Sequence, residues 1–329
     1  MNDAAHTWAV VLAAGEGSRL RKLTTTASGT AVPKQFCSFL GGCSLLSDTI
    51  QRAQAVTGLR RICAIVAKQH EQWWKQPLQA LQRSNVIVQP ANRGTGNGIL
   101  LSLLHVMKCD PQAALVFLPS DHYIDDEAIL QQALRDAVQQ VRHHPNSILL
   151  LGVQPDEVDP ELGYIVPGVP EQALRRVGCF VEKPALKFAE ALVASGALWN
   201  SFILVVRAAT LLEIFEELFP DTVTELRAAL DRDTHMPGSS LAIEHAYRDL
   251  GDIDFSRDVL QRLPERLRVV TVAACGWSDL GTPSRVGQAM WRASAIRFVD
   301  KERALDRPHP LVVLADQFLL HRNRSANPV

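Results

Sequence analysis

Two groups of residues in this chain have the types and spacing for phosphate chemistry. The first follows a short apolar run, Trp8–Val11, and reads Ala13-Ala14-Gly15-Glu16-Gly17-Ser18-Arg19-Leu20. Gly15, Gly17 and Ser18 let backbone N–H groups come close to a phosphate. Arg19 adds a fork of donors suited to phosphate oxygens, and Lys34, in Pro33-Lys34-Gln35-Phe36, adds a mobile point charge. The second group is Asp121 and Asp279, each just past a predicted strand. Carboxylates from two strand ends suit one Mg²⁺, which takes a few carboxylates together with phosphate oxygens and water. Aspartates at such places also cap helices and make turns. The loop has its own ordinary alternative, a βα turn with a surface arginine. From the residues alone, both pairs of readings stay open.

Familiar phosphate motifs do not match. The dinucleotide fingerprint needs Gly or Ala at its sixth position, which here is Leu20, and the P-loop needs a Gly-Lys pair, which the chain lacks. The balance of 34 basic and 35 acidic residues, net −1, argues against a general electrostatic grip on nucleic acid or an anionic membrane. No C-x-x-C pair occurs among the six cysteines, which read as reduced thiols, several of them in apolar runs. The N-terminus lacks the layout of a signal peptide, and no run reaches the roughly 18 apolar residues of a membrane span. The expectation is a soluble cytoplasmic protein.

The elements that must hold these residues alternate in the first half. Strands are predicted over Trp8–Ala13, Arg61–Ala67, Asn85–Val88, Ala114–Leu118 and Ser147–Val153. Helices are predicted over Ser44–Val56, Glu71–Leu81 with an early break at Pro77, Gly98–Met107 and Ala128–Val141. That alternation predicts an α/β fold, a mostly parallel central sheet with helices on both faces, whose strand ends carry the ligand site. After about residue 155 strands at Gly163–Val166, Leu174–Val181, Phe202–Val206 and Arg266–Val272 stand among longer connections, with helices at Pro184–Ala194 and Ala208–Leu218. One continuous domain over residues 1–295 is expected, with halves meeting near residue 155. The tail 296–329 has no assigned structure. The segment Arg21–Val32 reads as a candidate lid over the loop.

Several segments in order carry a resemblance. After the opening loop and "PKQF" come "QPANRGTG" at Gln89–Gly96, "LPSDHYI" at Leu118–Ile124, "GYI" at Gly163–Ile165, "FVEKP" at Phe180–Pro184, "WNSF" at Trp199–Phe202 and "GWSDLG" at Gly276–Gly281. From Trp8 to Arg285 the chain resembles the sugar-phosphate nucleotidylyltransferases, most of all the mannose-1-phosphate guanylyltransferases.

The resemblance implies a Rossmann-like, GT-A-like nucleotidyltransferase fold and Mg²⁺-assisted transfer from GTP to mannose 1-phosphate, giving GDP-mannose and pyrophosphate. It implies Arg19 and Lys34 as the catalytic cations and Asp121 and Asp279 as the metal ligands. Ala14, Gly15, Gly17, Ser18, Gln89, Arg93, Gly94 and Thr95 would bind the nucleotide. Gly163, Glu182, Lys183 and Asn200 would bind the sugar phosphate. His122 reads as a local hydrogen-bonding group, and Trp199 as core packing or a ligand contact. Phe202 departs from the family, which usually has glycine after "WNS". The residues after Gly281 are too few for the isomerase domain of some longer relatives, which predicts a monofunctional enzyme, and a homo-oligomer stays open. The same chemistry on another sugar or base, or a catalytically silent nucleotide-sugar sensor, are the alternatives.

Overall fold

The computed structural model describes residues 6–39, 41–235 and 241–303. Among the described residues nine strands form one sheet: β1 Thr7–Ala13, β2 Ile62–Ala67, β3 Val86–Gln89, β4 Ala114–Pro119, β5 Ile148–Val153, β6 Gly163–Glu171, β7 Leu174–Glu182, β8 Leu198–Arg207 and β9 Leu267–Val272. The helices are α1 Leu45–Ala53, α2 Glu71–Trp74, α3 Gly94–Cys109, α4 Glu127–His143, α5 Leu186–Ala194, α6 Ala208–Leu218, α7 Pro220–His235, α8 Leu241–Asp249 and α9 Pro283–Arg303.

The sheet is mixed, which corrects the expectation of a mostly parallel one. Its order is β3-β2-β1-β4-β8-β5-β9-β7-β6. β1, β2, β3 and β4 pair in parallel, as do β5 and β9. β8 lies antiparallel between β4 and β5, and β7 lies antiparallel between β9 and β6. Strands buried on both faces read as apolar runs whichever way they point. Direction is set by the connections, and the second half uses a β6–β7 hairpin instead of a crossover helix.

Helices do cover both faces. Along β1, Val10 faces a core with residues of α3, α6, α7 and α8, while Ala9, Val11 and Ala13 face one with α1, α4 and α5. In α4 the apolar residues Leu130, Ala133, Leu134, Ala137 and Val141 recur at helical spacing and are buried. Asp126 caps this helix through the N–H groups of Ala128 and Ile129. α2 stops at Trp74, in keeping with the early break expected at Pro77, which cannot continue a helix. α9 runs through Arg303 into the tail, and residues 304–329 lie outside the described residues.

One topological feature makes the site. β8 pairs with β4 from Leu204 to Arg207 and, on β8's first residues, with β6 through Leu198 and Trp199. Between them, at Asn200–Ile203, the β5–β8 register also shifts. A cleft opens over this bulge.

Candidate active site

The opening loop is fixed by the "PKQF" segment. Gln35 is buried, and its Nε2 donates to the carbonyls of Ala13 at 3.1 Å and Gly15 at 2.8 Å. Gly17 has φ +61°, and a β-carbon there would sit 2.8 Å from the Lys34 backbone nitrogen. Only glycine allows both that backbone and that approach. Leu20 packs with Leu45, Leu280 and Val286, which ties the loop to the chain around Asp279. The candidate lid is a small flap in which Val32 N donates to Thr24 O and Thr26 N donates to Thr30 O.

Asp121 and Asp279, far apart in the sequence, are brought together by a backbone bridge. Tyr123 N donates to Ser278 O and Ser278 N to Tyr123 O, each at 2.9 Å. Lys34, only 4% exposed, spans both loops. Its Nζ donates to the Asp279 carbonyl at 2.5 Å and lies 2.9 Å from Asp121 Oδ2. Burial alone would raise the Asp121 pKa, but Lys34, with smaller help from His122 and Arg19, holds it down at about 2. His122 is pushed down to about 4 by burial, and accepts from Trp277 Nε1 at Nδ1. It is a neutral hydrogen-bonding group behind Asp121.

Asp279 has one oxygen engaged and one not. Its Oδ1 accepts from Arg285 Nη1 at 2.5 Å and from Gly281 N at 3.0 Å. Its Oδ2 is buried, with no hydrogen-bond partner among the described residues, 3.6 Å from Arg19 Nη2. Burial would raise this carboxyl too, and Arg285 reverses the shift. Arg285 is itself buried, within ion-pair distance of Glu157 and Asp159, and 4.8 Å above the Trp199 ring. Trp199 is therefore core under a cation. Asp279 does take part in a turn, through Gly281; the capping of α4 falls to Asp126 and not to Asp121.

The cleft encloses about 450 Å³. At one end lie Ala14, Gly15, Arg19, Lys34, Asp121 and Asp279. Gln89, Gly94 and Thr95 line a second wall, and Gly163, Glu182, Lys183 and Asn200 a third. Gly17 and Ser18 line a smaller depression that adjoins at Arg19 and Lys34. Arg93 is directed elsewhere: its Nε and Nη2 donate to the carbonyls of Tyr247 and Arg248, both at 2.9 Å. Its guanidinium secures α8, so of "NRGTG" the residues that line the cleft are Asn92, Gly94 and Thr95.

The N-terminus of α3 is locked to the chain before β9. Gly96 N donates to Ile253 O at 2.8 Å, and the Thr95 hydroxyl accepts from Phe255 N at 3.0 Å. Gly94 has φ +79°, and a β-carbon there would collide with the Ile253 carbonyl. Gly94→Ala is therefore expected to cost about 3 kcal/mol of unfolding free energy or more. Urea unfolding measures this, and a loss under about 0.5 kcal/mol would contradict the packing described.

At the third wall, burial pushes the Glu182 carboxyl up to about 7, the nearby Asp254 adding to the shift. Asp254 and Ser256 also line the cleft. Sequence reasoning did not select these two, nor Gln35 or Arg285. Gln35 could have been found, since it stands inside a conspicuous motif. Nothing local marks Arg285, whose partners lie far away in the chain.

Residues 8–295 match the sequence model of the nucleotidyl transferases. The chain belongs to that family. Among the family's characterised members it is similar to the mannose-1-phosphate guanylyltransferase ManC of Salmonella typhimurium, at 32% identity over 87% of this chain and 59% of that protein. It is 29% identical to the alginate biosynthesis protein AlgA of Pseudomonas syringae over 87% of this chain and 58% of that one. The chain thus spans about three fifths of the length of these relatives. Among solved structures, the mannose-1-phosphate geranyltransferase from Thermus thermophilus superposes with a TM-score of 0.70 at 28% identity, over 84% of this chain and 76% of that one. No helix among the described residues is long and apolar enough to cross a membrane.

Proposed function

We propose that this nucleotidyl transferase joins GTP and mannose 1-phosphate into GDP-mannose and releases pyrophosphate. The observation that carries the reading is the grouping of Arg19, Lys34, Asp121 and Asp279 at one end of a cleft whose other end holds Glu182, Lys183 and Asn200. Cations and carboxylates of this kind suit a triphosphate and its metal. A carboxylate, an ammonium and an amide suit a phosphorylated sugar. The names of the similar proteins supply guanine and mannose.

In the proposed reaction an oxygen of the sugar phosphate attacks the α-phosphorus. The bond from that phosphorus to the α,β-bridging oxygen breaks, and pyrophosphate leaves with the electron pair. The nucleophile is already anionic, so no side chain has to remove a proton. The chain's part is to hold two anions together and to stabilise the charge that builds up between them. Arg19 and Lys34 would hold the triphosphate and the departing pyrophosphate. The backbone of Ala14–Ser18 would cradle the phosphates, and Gln89, Gly94 and Thr95 would lie against the base.

Asp121 and Asp279 would hold Mg²⁺. The unpartnered Asp279 Oδ2 and the half-exposed Asp121 carboxylate are donors of the right chemistry for it. Bound there, the metal would neutralise charge on the phosphate oxygens.

Lys183, exposed at the cleft edge beside Glu182, would contact the phosphate of the sugar. Lys183→Ala is expected to raise the KM for mannose 1-phosphate about tenfold and to leave kcat within about twofold. Steady-state kinetics at saturating GTP test this, and an unchanged KM would remove Lys183 from the sugar-phosphate site.

A further inference from the structure

Phe202 sits in the gap of β8 between its β4 and β6 pairings, at φ +56°. A non-glycine residue holds this left-handed backbone only when its surroundings impose it, and such strain gathers at functional sites. Two things impose it here. The Phe202 backbone N–H donates to Asn200 Oδ1 at 3.1 Å, so the turn also orients the Asn200 amide. The ring packs edge-on against Phe255 at 6.2 Å, and Phe255 packs on Phe215 at 6.1 Å in the core. Three aromatic rings thus run from the cleft into the buried core, and the outermost lines the cleft beside Asn200.

We infer that Phe202 is a specificity-determining residue: its ring forms the apolar wall of the sugar subsite, against which the C–H face of a pyranose lies. The inference rests on the proposed function. A sugar has hydroxyls around its rim and an apolar face of C–H bonds. Glu182, Asn200 and Asp254 supply polar partners for the rim. Phe202, anchored through Phe255, supplies a rigid aromatic surface for the face. Glycine at this position would give the same backbone without strain and without that surface.

The test compares Phe202→Gly, Phe202→Ala and Phe202→Tyr with the natural chain. The glycine and alanine variants are expected to raise the KM for mannose 1-phosphate about tenfold, with the GTP KM unchanged and the tyrosine variant close to natural. Glycine suits the φ of the turn, so this variant keeps the fold even if alanine does not. Saturation-transfer NMR of mannose 1-phosphate on the natural chain should show contact from aromatic protons to the pyranose, lost in Phe202→Gly. If the natural chain turns over mannose 1-phosphate and the glycine variant keeps both the same KM and the same transfer, the inference is overturned while the function stands. GTP and sugar KM moving together would also overturn it, as the mark of a merely structural residue. If the natural chain neither turns over nor binds any hexose 1-phosphate, the function itself falls and the sugar wall with it.

Discussion

Asp121→Asn and Asp279→Asn are each expected to lower turnover by about 100-fold or more while the protein stays folded. The size follows from their position. These carboxylates would hold the Mg²⁺ that would neutralise charge on the phosphate oxygens, and each factor of ten corresponds to only about 1.4 kcal/mol of transition-state stabilisation. Asparagine is the better replacement than alanine. It can still accept from Lys34 at position 121 and from Arg285 at position 279, so neither buried cation loses a hydrogen-bond partner. Asp121 gives the cleaner experiment, because Arg285 at position 279 also binds Glu157 and Asp159 and links the site to the core. Near-normal turnover at saturating Mg²⁺ in either variant would end the metal assignment.

Lys34→Met should be nearly as damaging, lowering kcat by about 100-fold while the KM for mannose 1-phosphate moves less than about threefold. Lys34 is buried and held from two sides, by the Asp279 carbonyl and the Asp121 carboxylate, so its ammonium is fixed where the triphosphate is proposed to lie. Preorganised charge acts on the transition state more than on substrate binding. Lys34→Arg is not expected to rescue activity. A planar fork does not fit a slot shaped for one point charge against the Asp279 carbonyl. The reverse pattern, a large rise in the sugar-phosphate KM with kcat preserved, would move Lys34 out of the triphosphate site.

Much of this architecture can be read from the sequence where a pattern is local. The strands from β1 to β5 and helices α1, α4 and α6 fall close to the predicted spans, because their apolar spacing is set by burial within each segment. α3 begins at Gly94, four residues before the predicted Gly98. Its two leading glycines look like helix breakers, yet they are there to let the Ile253 chain approach. The start of β8 escapes the sequence for a related reason. "LWNS" belongs to the strand, and the bulge at Phe202 interrupts its alternation. Strand direction cannot be read from apolar runs at all.

At the candidate site, sequence motifs supply residue types but not their engagements. Arg93 and Lys34 look equally available as cations in the sequence. In the fold Arg93 is spent on two carbonyls of α8 and Lys34 spans the two aspartate loops. Arg285, which orients Asp279, becomes visible only through contacts with Glu157 and Asp159, more than a hundred residues away.

The most direct measurement is pyrophosphate release with Mg²⁺, running the four common nucleoside triphosphates against mannose, glucose and galactose 1-phosphates. The account predicts release with GTP and mannose 1-phosphate well above every other pair. Release with no pair, from folded protein that still binds a nucleotide, would contradict it.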